Sequence, residues 1–227
     1  MLWRHINLFL GDYVDWSIQG MEILLLQLAL KVRYPDRIYM LRGNNEDCNT
    51  ATIYGFYYEC RLKFAPNGEV AHFLSVFNWI PLFAVVDKKI LCMHVGISPH
   101  GTYRKSSSTI PPFDLMCDLV WADPDNKYPG WSLSPRNISY CFDDNVMKQF
   151  CDKLKIDFIV RAHQIDKEMK RGYKICADGR FFPIFSAPNY LNSGNTGAVM
   201  RALRISQVQY DDKGRKVGEA YFECDRP

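Results

Sequence analysis

No stretch of this chain is apolar for long enough to cross a membrane as a helix. The longest apolar run, Ile23 to Leu30, is interrupted by Gln27 and flanked by Glu22 and Lys31, far short of the roughly 20 residues a bilayer demands. It reads as a buried helix. An excess of one charge is missing too: 28 Lys and Arg face 25 Asp and Glu, and a net charge of +3 argues for neither a nucleic-acid nor a membrane-surface partner. Eight cysteines are present, at 48, 60, 92, 117, 141, 151, 176 and 224, but no two form a C-x-x-C pair. With Met1 to His5 too short for a secretory leader, the expectation is reduced thiols in a cytoplasmic or nuclear protein. Repeats and low-complexity tracts are absent. What remains is 227 residues with 48% hydrophobic content, enough for one sizeable core and a single domain over residues 1–227.

Against that background five segments share one design, an apolar run that breaks off at residues able to bind metal or phosphate. They are Leu8-Phe9-Leu10-Gly11-Asp12-Tyr13-Val14-Asp15, Ile38-Tyr39-Met40-Leu41-Arg42-Gly43-Asn44-Asn45-Glu46, Ile90-Leu91-Cys92-Met93-His94, Phe158-Ile159-Val160-Arg161-Ala162-His163 and Ile184-Phe185-Ser186-Ala187-Pro188-Asn189-Tyr190. Strands that deliver Asp, Asn and His at their ends gather distant ligands at one edge of a sheet.

The elements between them follow from periodicity and punctuation. A first strand is expected at Ile6 to Leu10. Met21, Leu24, Leu25, Leu28 and Val32 recur at helical spacing over Gly20 to Tyr34, and Pro35 closes that helix. A strand at Arg37 to Leu41 then lies parallel to the first through a right-handed crossover. Asn49 to Phe64, with Ile53, Phe56, Tyr57, Cys60 and Phe64 on one stripe, reads as one helix, and Val70 to Asn78 as another. Pro81 to Val86 and Lys89 to Val95 read as strands joined by the turn Asp87-Lys88. Gly101 to Phe113 and Tyr128 to Ser139 are the loop candidates. Asp143 to Leu154 reads as a helix, Ile156 to Val160 as a strand, and the remainder as strands and turns with a hairpin at Asp211 to Gly214. The whole is an α/β layered architecture.

In order and content the five segments resemble the phosphoprotein phosphatase family of metal-dependent serine/threonine phosphatases, of the protein phosphatase 1 type. The resemblance runs from about Asn7 to about Met200 and includes Ile53-Tyr54-Gly55-Phe56 and Val120-Trp121-Ala122-Asp123-Pro124-Asp125. It implies a β-sandwich flanked by helices, the calcineurin-like metallophosphatase fold, with the site at one edge of the sheets. It further implies that Asp12, Asn44, His94 and His163 hold one divalent metal, an oxygen and nitrogen set suited to Mn, Fe or Zn rather than Ca. Arg136 corresponds to a phosphate-binding arginine and Tyr190 to a tyrosine lining the substrate cleft. Phosphoprotein substrates or phosphopeptides and regulatory subunits are the implied partners.

Departures fall on the chemistry. The family's Gly-Asp-x-His-Gly segment, which completes a second metal site, occurs nowhere in the chain, so the chain is read as lacking the fold's N-terminal strand and as a one-metal site. Asn45 stands where the family carries its general-acid His, and an amide has no titratable proton near neutral pH; the orienting Asp15 remains. Trp16 and Thr52 stand where the family has arginines, and neither grips two phosphate oxygens as a guanidinium does. Val95 replaces a glycine beside His94. Three readings follow: a phosphatase with weak or lost activity, an inactive relative that binds partners or phosphopeptides, or an incomplete chain whose upstream segment would restore the metal pair but not a His at position 45.

Overall fold

The structure is a computed structural model; it describes residues 5–64, 70–100, 109–112 and 114–202, and beyond them the strand segments 209–210, 216–217 and 222–225. The chain forms two compact units, one drawn from Met1–His163 and Ile175–Phe182, the other from Gln164–Lys174 and Pro183–Pro227.

In the first unit, β1 (Asn7–Phe9) and β2 (Ile38–Met40) are joined through α1 (Gly20–Arg33) and pair in parallel, Leu8 opposite Tyr39, as the crossover rule requires. Glu22 in the first turn of α1 and Lys31 and Arg33 in the last complement the helix dipole. Met21 and Leu24 of the expected stripe are buried and Leu28 packs beside them, but Leu25 and Val32 face solvent. The apolar run is therefore a one-sided surface helix, not a buried one.

The helix expected over Asn49 to Phe64 is two helices, α2 (Cys48–Tyr54) and α3 (Phe56–Phe64). Gly55 separates them at φ 121°, a conformation that ordinary side chains disfavour. Asp47 starts α2 by accepting the amides of Asn49 and Thr50 at 3.0 and 3.3 Å, an ordinary N-cap. Of the proposed stripe, Phe56 and Cys60 are buried and Ile53 is 75% exposed, because the break rotates α2 relative to α3. With α4 (Val70–Phe77), these elements enclose a first core of Tyr13, Val14, Met21, Leu24, Met40, Phe56 and Phe77.

Next come β3 (Phe83–Val86) and β4 (Ile90–Met93), antiparallel. Asp87 and Lys88 form the turn between them, both at positive φ, the geometry a tight hairpin favours. α5 (Leu115–Trp121) follows, buried from Met116 to Val120. Such a helix has no polar face and so no period to betray it. β5 (Asp123–Pro124), β6 (Trp131–Leu133) and β7 (Tyr140–Phe142) form a three-stranded sheet in the order β5-β7-β6.

Here the loop expected over Tyr128 to Ser139 is corrected. Trp131 packs against Phe142 at 5.6 Å, and its segment pairs antiparallel with β7. Tyr128 to Gly130 and Ser134 to Ser139 remain irregular, the latter closed by Ser134 N–H to Ser139 C=O at 3.3 Å. In the other expected loop, Gly101 to Phe113, residues 101–108 and 113 lie outside the described residues.

α6 (Asp144–Leu154) is capped by Asp143, which accepts the Val146 amide at 2.9 Å. It leads to β8 (Phe158–Arg161), parallel to β4, and β9 (Phe181–Pro183) completes a sheet ordered β3-β4-β8-β9. A second core lies among β4, β7, β8, α5 and α6, with Met93, Ile97, Cys117, Phe142, Cys151 and Ile159 at its centre.

In the second unit, β10 (Val199–Ala202) pairs antiparallel with Phe222–Asp225 and Gln209–Tyr210 with Lys216–Val217. The turn expected at Asp211 to Gly214 lies outside the described residues. Among the described residues no helix is long and apolar enough to cross a membrane.

Candidate metal centre

Two pairs of parallel strands end side by side, and the site sits just past their carboxyl ends. Beyond β1 and β2 the chain is tied by Leu41 N–H to Phe9 C=O at 2.8 Å, and beyond β4 and β8 by Ala162 N–H to His94 C=O at 2.9 Å. The residues that follow are Asp12, Asn44, His94 and His163. A third bond couples the two pairs, from His94 Nδ1–H to Leu10 C=O at 2.6 Å.

Glycine is required where the loops after β1 and β2 touch. A Cβ on Gly11 would lie 2.5 Å from the Gly43 nitrogen, and one on Gly43 would lie 2.4 Å from Asp12 Oδ1. Asp12 and His163 themselves adopt positive φ, 59° and 69°. Left-handed backbone in non-glycine residues carries strain that recurs at functional sites.

All four sequence-proposed metal ligands come together. Asp12, His94 and His163 each offer a ligand atom within 4.8 Å of the others. His94 Nε2 lies 3.1 Å from Asp12 Oδ1 and 3.0 Å from Asn44 Oδ1, and the two imidazole rings meet edge-on at 5.1 Å. Because the Leu10 carbonyl can only accept, Nδ1 of His94 carries a proton and Nε2 faces two oxygen lone pairs. A proton on Nε2, or a cation between the three atoms, would satisfy that arrangement. Neither ring nitrogen of His163 has a hydrogen-bond partner among the described residues, although its side chain is 8% exposed. Buried nitrogens left unbonded are costly, and a divalent cation would satisfy them together with the lone pairs of Asp12, Asn44 and His94. The donor set therefore fits a divalent metal, with its mixed oxygen and imidazole character.

The electrostatics agree. Burial alone would raise the Asp12 carboxyl, but the charge and hydrogen bond of His94, with the His163 imidazole 3.8 Å away, hold it well below the usual carboxylate range. Burial likewise works against an imidazolium at His94, yet the adjacent Asp12 raises it overall, whereas burial lowers His163.

The other sequence-proposed residues divide. Asn45 is buried beside the cluster; its amide N–H meets Asp12 Oδ1 at 3.3 Å, but its side-chain Nδ2 donates to the Val14 carbonyl at 3.2 Å. Asp15 is buried, with Oδ1 accepting the Phe56 amide at 2.7 Å and Oδ2 without a partner among the described residues. Arg136 donates through Nε to Asp123 Oδ2 at 2.8 Å and is 40% exposed. Tyr190 belongs to the second unit, where its ring meets Phe185 at 5.0 Å and its amide reaches Asn195 Oδ1 at 2.8 Å.

At the positions of departure, Trp16 is exposed and stacked on Tyr54 at 5.2 Å, and the Thr52 hydroxyl is spent on the Cys48 carbonyl at 2.8 Å. Val95 is fully buried. Sequence reading missed Asp123, whose carboxylate bridges Arg136 and the buried Arg161, the latter at 2.7 Å. Arg161 also donates to the Val95 carbonyl at 3.2 Å, so a continuous chain of contacts joins Arg136 to the residue after His94. Only the Asp-Pro-Asp stretch quoted above could have signalled it.

Comparison with known proteins places this geometry. Calcineurin-like phosphoesterases match over residues 2–166. A Caenorhabditis elegans protein named as a serine/threonine-protein phosphatase is 46% identical over 205 residues, covering 88% of this chain and 55% of its own length; the chain thus spans about half of that relative. Among solved structures, a Saccharomyces cerevisiae protein serine/threonine phosphatase described as similar to human phosphatase PP5 superposes with a TM-score of 0.80 at 28% identity, over 97% of this chain and 70% of the other. A cold-active protein tyrosine phosphatase matches with a TM-score of 0.56 at 14% identity, over 85% and 61%, a likeness of fold alone. The expected calcineurin-like metallophosphatase fold, α/β with mixed sheets and flanking helices, is the fold observed.

Proposed function

The chain belongs to the calcineurin-like phosphoesterase family, and from that premise we propose that its site binds phosphoserine or phosphothreonine monoesters at a single divalent metal and hydrolyses them slowly. The observation that carries this reading is the convergence of Asp12, Asn44, His94 and His163, with both ring nitrogens of His163 unbonded among the described residues. These four residues would hold the metal. When bound, a divalent metal supplies Lewis-acid polarisation of a phosphate oxygen and acidifies water.

The chain's own residues set the limits of the reaction. Arg136 is fixed through Nε by Asp123, which leaves its outer guanidinium edge to pair with phosphate oxygens. Expulsion of an alkoxide calls for a proton, and Asn45, turned to the Val14 carbonyl, has none to give. Loss of general-acid help costs about 10²–10⁴ in rate. Likeness to the protein phosphatase 1 type, phosphoprotein substrates and regulatory subunits belong to the same proposal and rest on the resemblance of the five sequence segments.

A second reading, a phosphopeptide-binding module without turnover, is favoured by the same side chains: Asn45 faces backbone, and Asp15 Oδ2 orients nothing. The deciding experiment is Mn²⁺-dependent hydrolysis of a phosphoserine peptide, with Asp12→Ala as the control for contaminating phosphatase. Turnover that vanishes with Asp12→Ala upholds the slow enzyme. Absence of turnover in a cooperatively folded sample, with peptide binding retained, replaces it with the binding module.

A further inference from the structure

The segment after β2 ends on Glu46, to which the metal site as described gives no task, although its side chain is fully buried against that site. Its carboxylate collects backbone amides. Oε2 accepts from Asp12 at 2.8 Å and from Gly43 at 2.9 Å, and Oε1 accepts from Tyr13 at 2.7 Å and from Val14 at 3.3 Å. Its own carbonyl accepts from Arg42 Nε at 2.7 Å. One side chain thus clasps the loop after β1 to the loop after β2.

The clasp lands on a residue with left-handed backbone. Asp12 sits at φ 59°, and in that conformation its Oδ1 reaches both His94 and the Asn45 amide. Each carboxyl oxygen accepts two amides at once, so four bonds close on one side chain. Three of them fall on the consecutive residues Asp12, Tyr13 and Val14 and hold a turn that the chain alone would leave, and the fourth ties that turn to Gly43. Resting on the proposed metal site, we infer that Glu46 is a positioning residue: by binding the amides of Asp12, Tyr13, Val14 and Gly43 it holds Asp12 in the left-handed conformation that aims its carboxylate at the metal. Glu46 itself touches neither metal nor substrate; it acts through Asp12.

A merely structural Glu46 and a positioning Glu46 part company over metal affinity. Mn²⁺ is titrated into the full chain, into Glu46→Gln and into Glu59→Gln, at a temperature where circular dichroism shows all three folded. Glu59 is the matched control, a second buried carboxylate that holds the Met21 amide at 2.9 Å. Gln at position 46 presents an NH₂ to two amide donors. The expected result is a Mn²⁺ Kd raised by about tenfold or more for Glu46→Gln, the usual effect of removing an outer support of a ligand, and a Kd unchanged for Glu59→Gln.

Equal affinity in Glu46→Gln and the unmutated chain overturns the inference alone, whereas no Mn²⁺ binding by the unmutated chain overturns the site reading and the inference with it. Should Glu46→Gln fail to fold, hydrogen exchange in the unmutated chain decides. Mn²⁺ has to slow the amides of Asp12, Tyr13 and Gly43 more than that of Met21, and equal protection of all four overturns the inference.

Discussion

Replacing Asp15 with asparagine is expected to stabilise the fold near neutral pH and to destabilise it in acid. Asp15 is 6% exposed, with one oxygen bonded to the Phe56 amide and the other without a partner among the described residues. Burial pushes its carboxyl up from 3.8 to about 6, aided by the charges of Asp12 and Glu59 and opposed by the Phe56 bond. A carboxyl raised in this way is a liability once ionised. Between the unfolded and folded values the native state binds the extra proton, so stability falls as pH climbs from about 4 to about 6 and stays lower above. A shift of about two units corresponds to about 3 kcal/mol.

Asparagine keeps an oxygen for the Phe56 amide and removes the titration, but its NH₂ replaces the unpartnered oxygen and costs about 1–3 kcal/mol as an unmet donor. Asp15→Asn is therefore expected to be about 1–3 kcal/mol less stable than the unmutated chain at about pH 4, and equal to or about 2 kcal/mol more stable at about pH 7.5. Urea unfolding at the two pH values reads both numbers. Glu46, also raised by burial, to about 7, titrates in both chains and cancels in the comparison. A destabilisation of the same size at both pH values would refute the claim that Asp15 is held against its ionisation.

His163→Ala is expected to weaken Mn²⁺ binding by about tenfold or more while leaving the metal-free unfolding midpoint nearly unchanged, because neither ring nitrogen is bonded among the described residues; calorimetric titration and a urea curve check the two halves. Asp123→Ala strands Arg161, which is 1% exposed, and removing one partner of a buried ion pair costs about 3–5 kcal/mol, visible in equilibrium unfolding. Asn45→His is expected to raise turnover of a phosphoserine peptide by about 10²-fold, its imidazole gaining Asp15 Oδ2 as a partner. A folded, metal-loaded variant with no gain would place the deficit in the ligand set instead.

What the chain declares in advance is where its strands stop. Apolar runs ending in Asp, Asn or His stand out because burial and ligation demand opposite residue types in adjacent positions. The strand ends that carry Asp12, Asn44, His94 and His163 stood out for that reason, whereas their grouping as one ligand set was what the family resemblance implied; parallel pairing sets the ends side by side two by two. Elements without such contrast were not legible. Met116 to Val120 is buried all round, so α5 shows no period. The break at Gly55 depends on a φ of 121°, and a glycine in sequence only permits such a value. Trp131 hides a strand inside a Ser, Pro and Gly segment because its fate is decided by Phe142, a residue of another strand.

The least legible layer is the one that aims the ligands, since hydrogen-bond partners are distant in sequence. Glu46 reaches back 34 residues to the Asp12 amide, and Asp123 reaches 38 residues on to Arg161. No local rule distinguishes these carboxylates from solvated ones. Asn45 and Asp15 show the same limit from the other side. Residue type establishes that Asn45 cannot protonate a leaving group, but not that its amide would turn to the Val14 carbonyl and leave a buried oxygen of Asp15 unmet. Core packing supplies no reason to bury that oxygen unpaired, and local rules broken without a compensating contact mark functional sites more often than structural ones. Asp15 is thus held against its ionisation next to Val14, whose carbonyl takes the Asn45 side-chain amide. The pH-dependent sign of Asp15→Asn measures the energy held there.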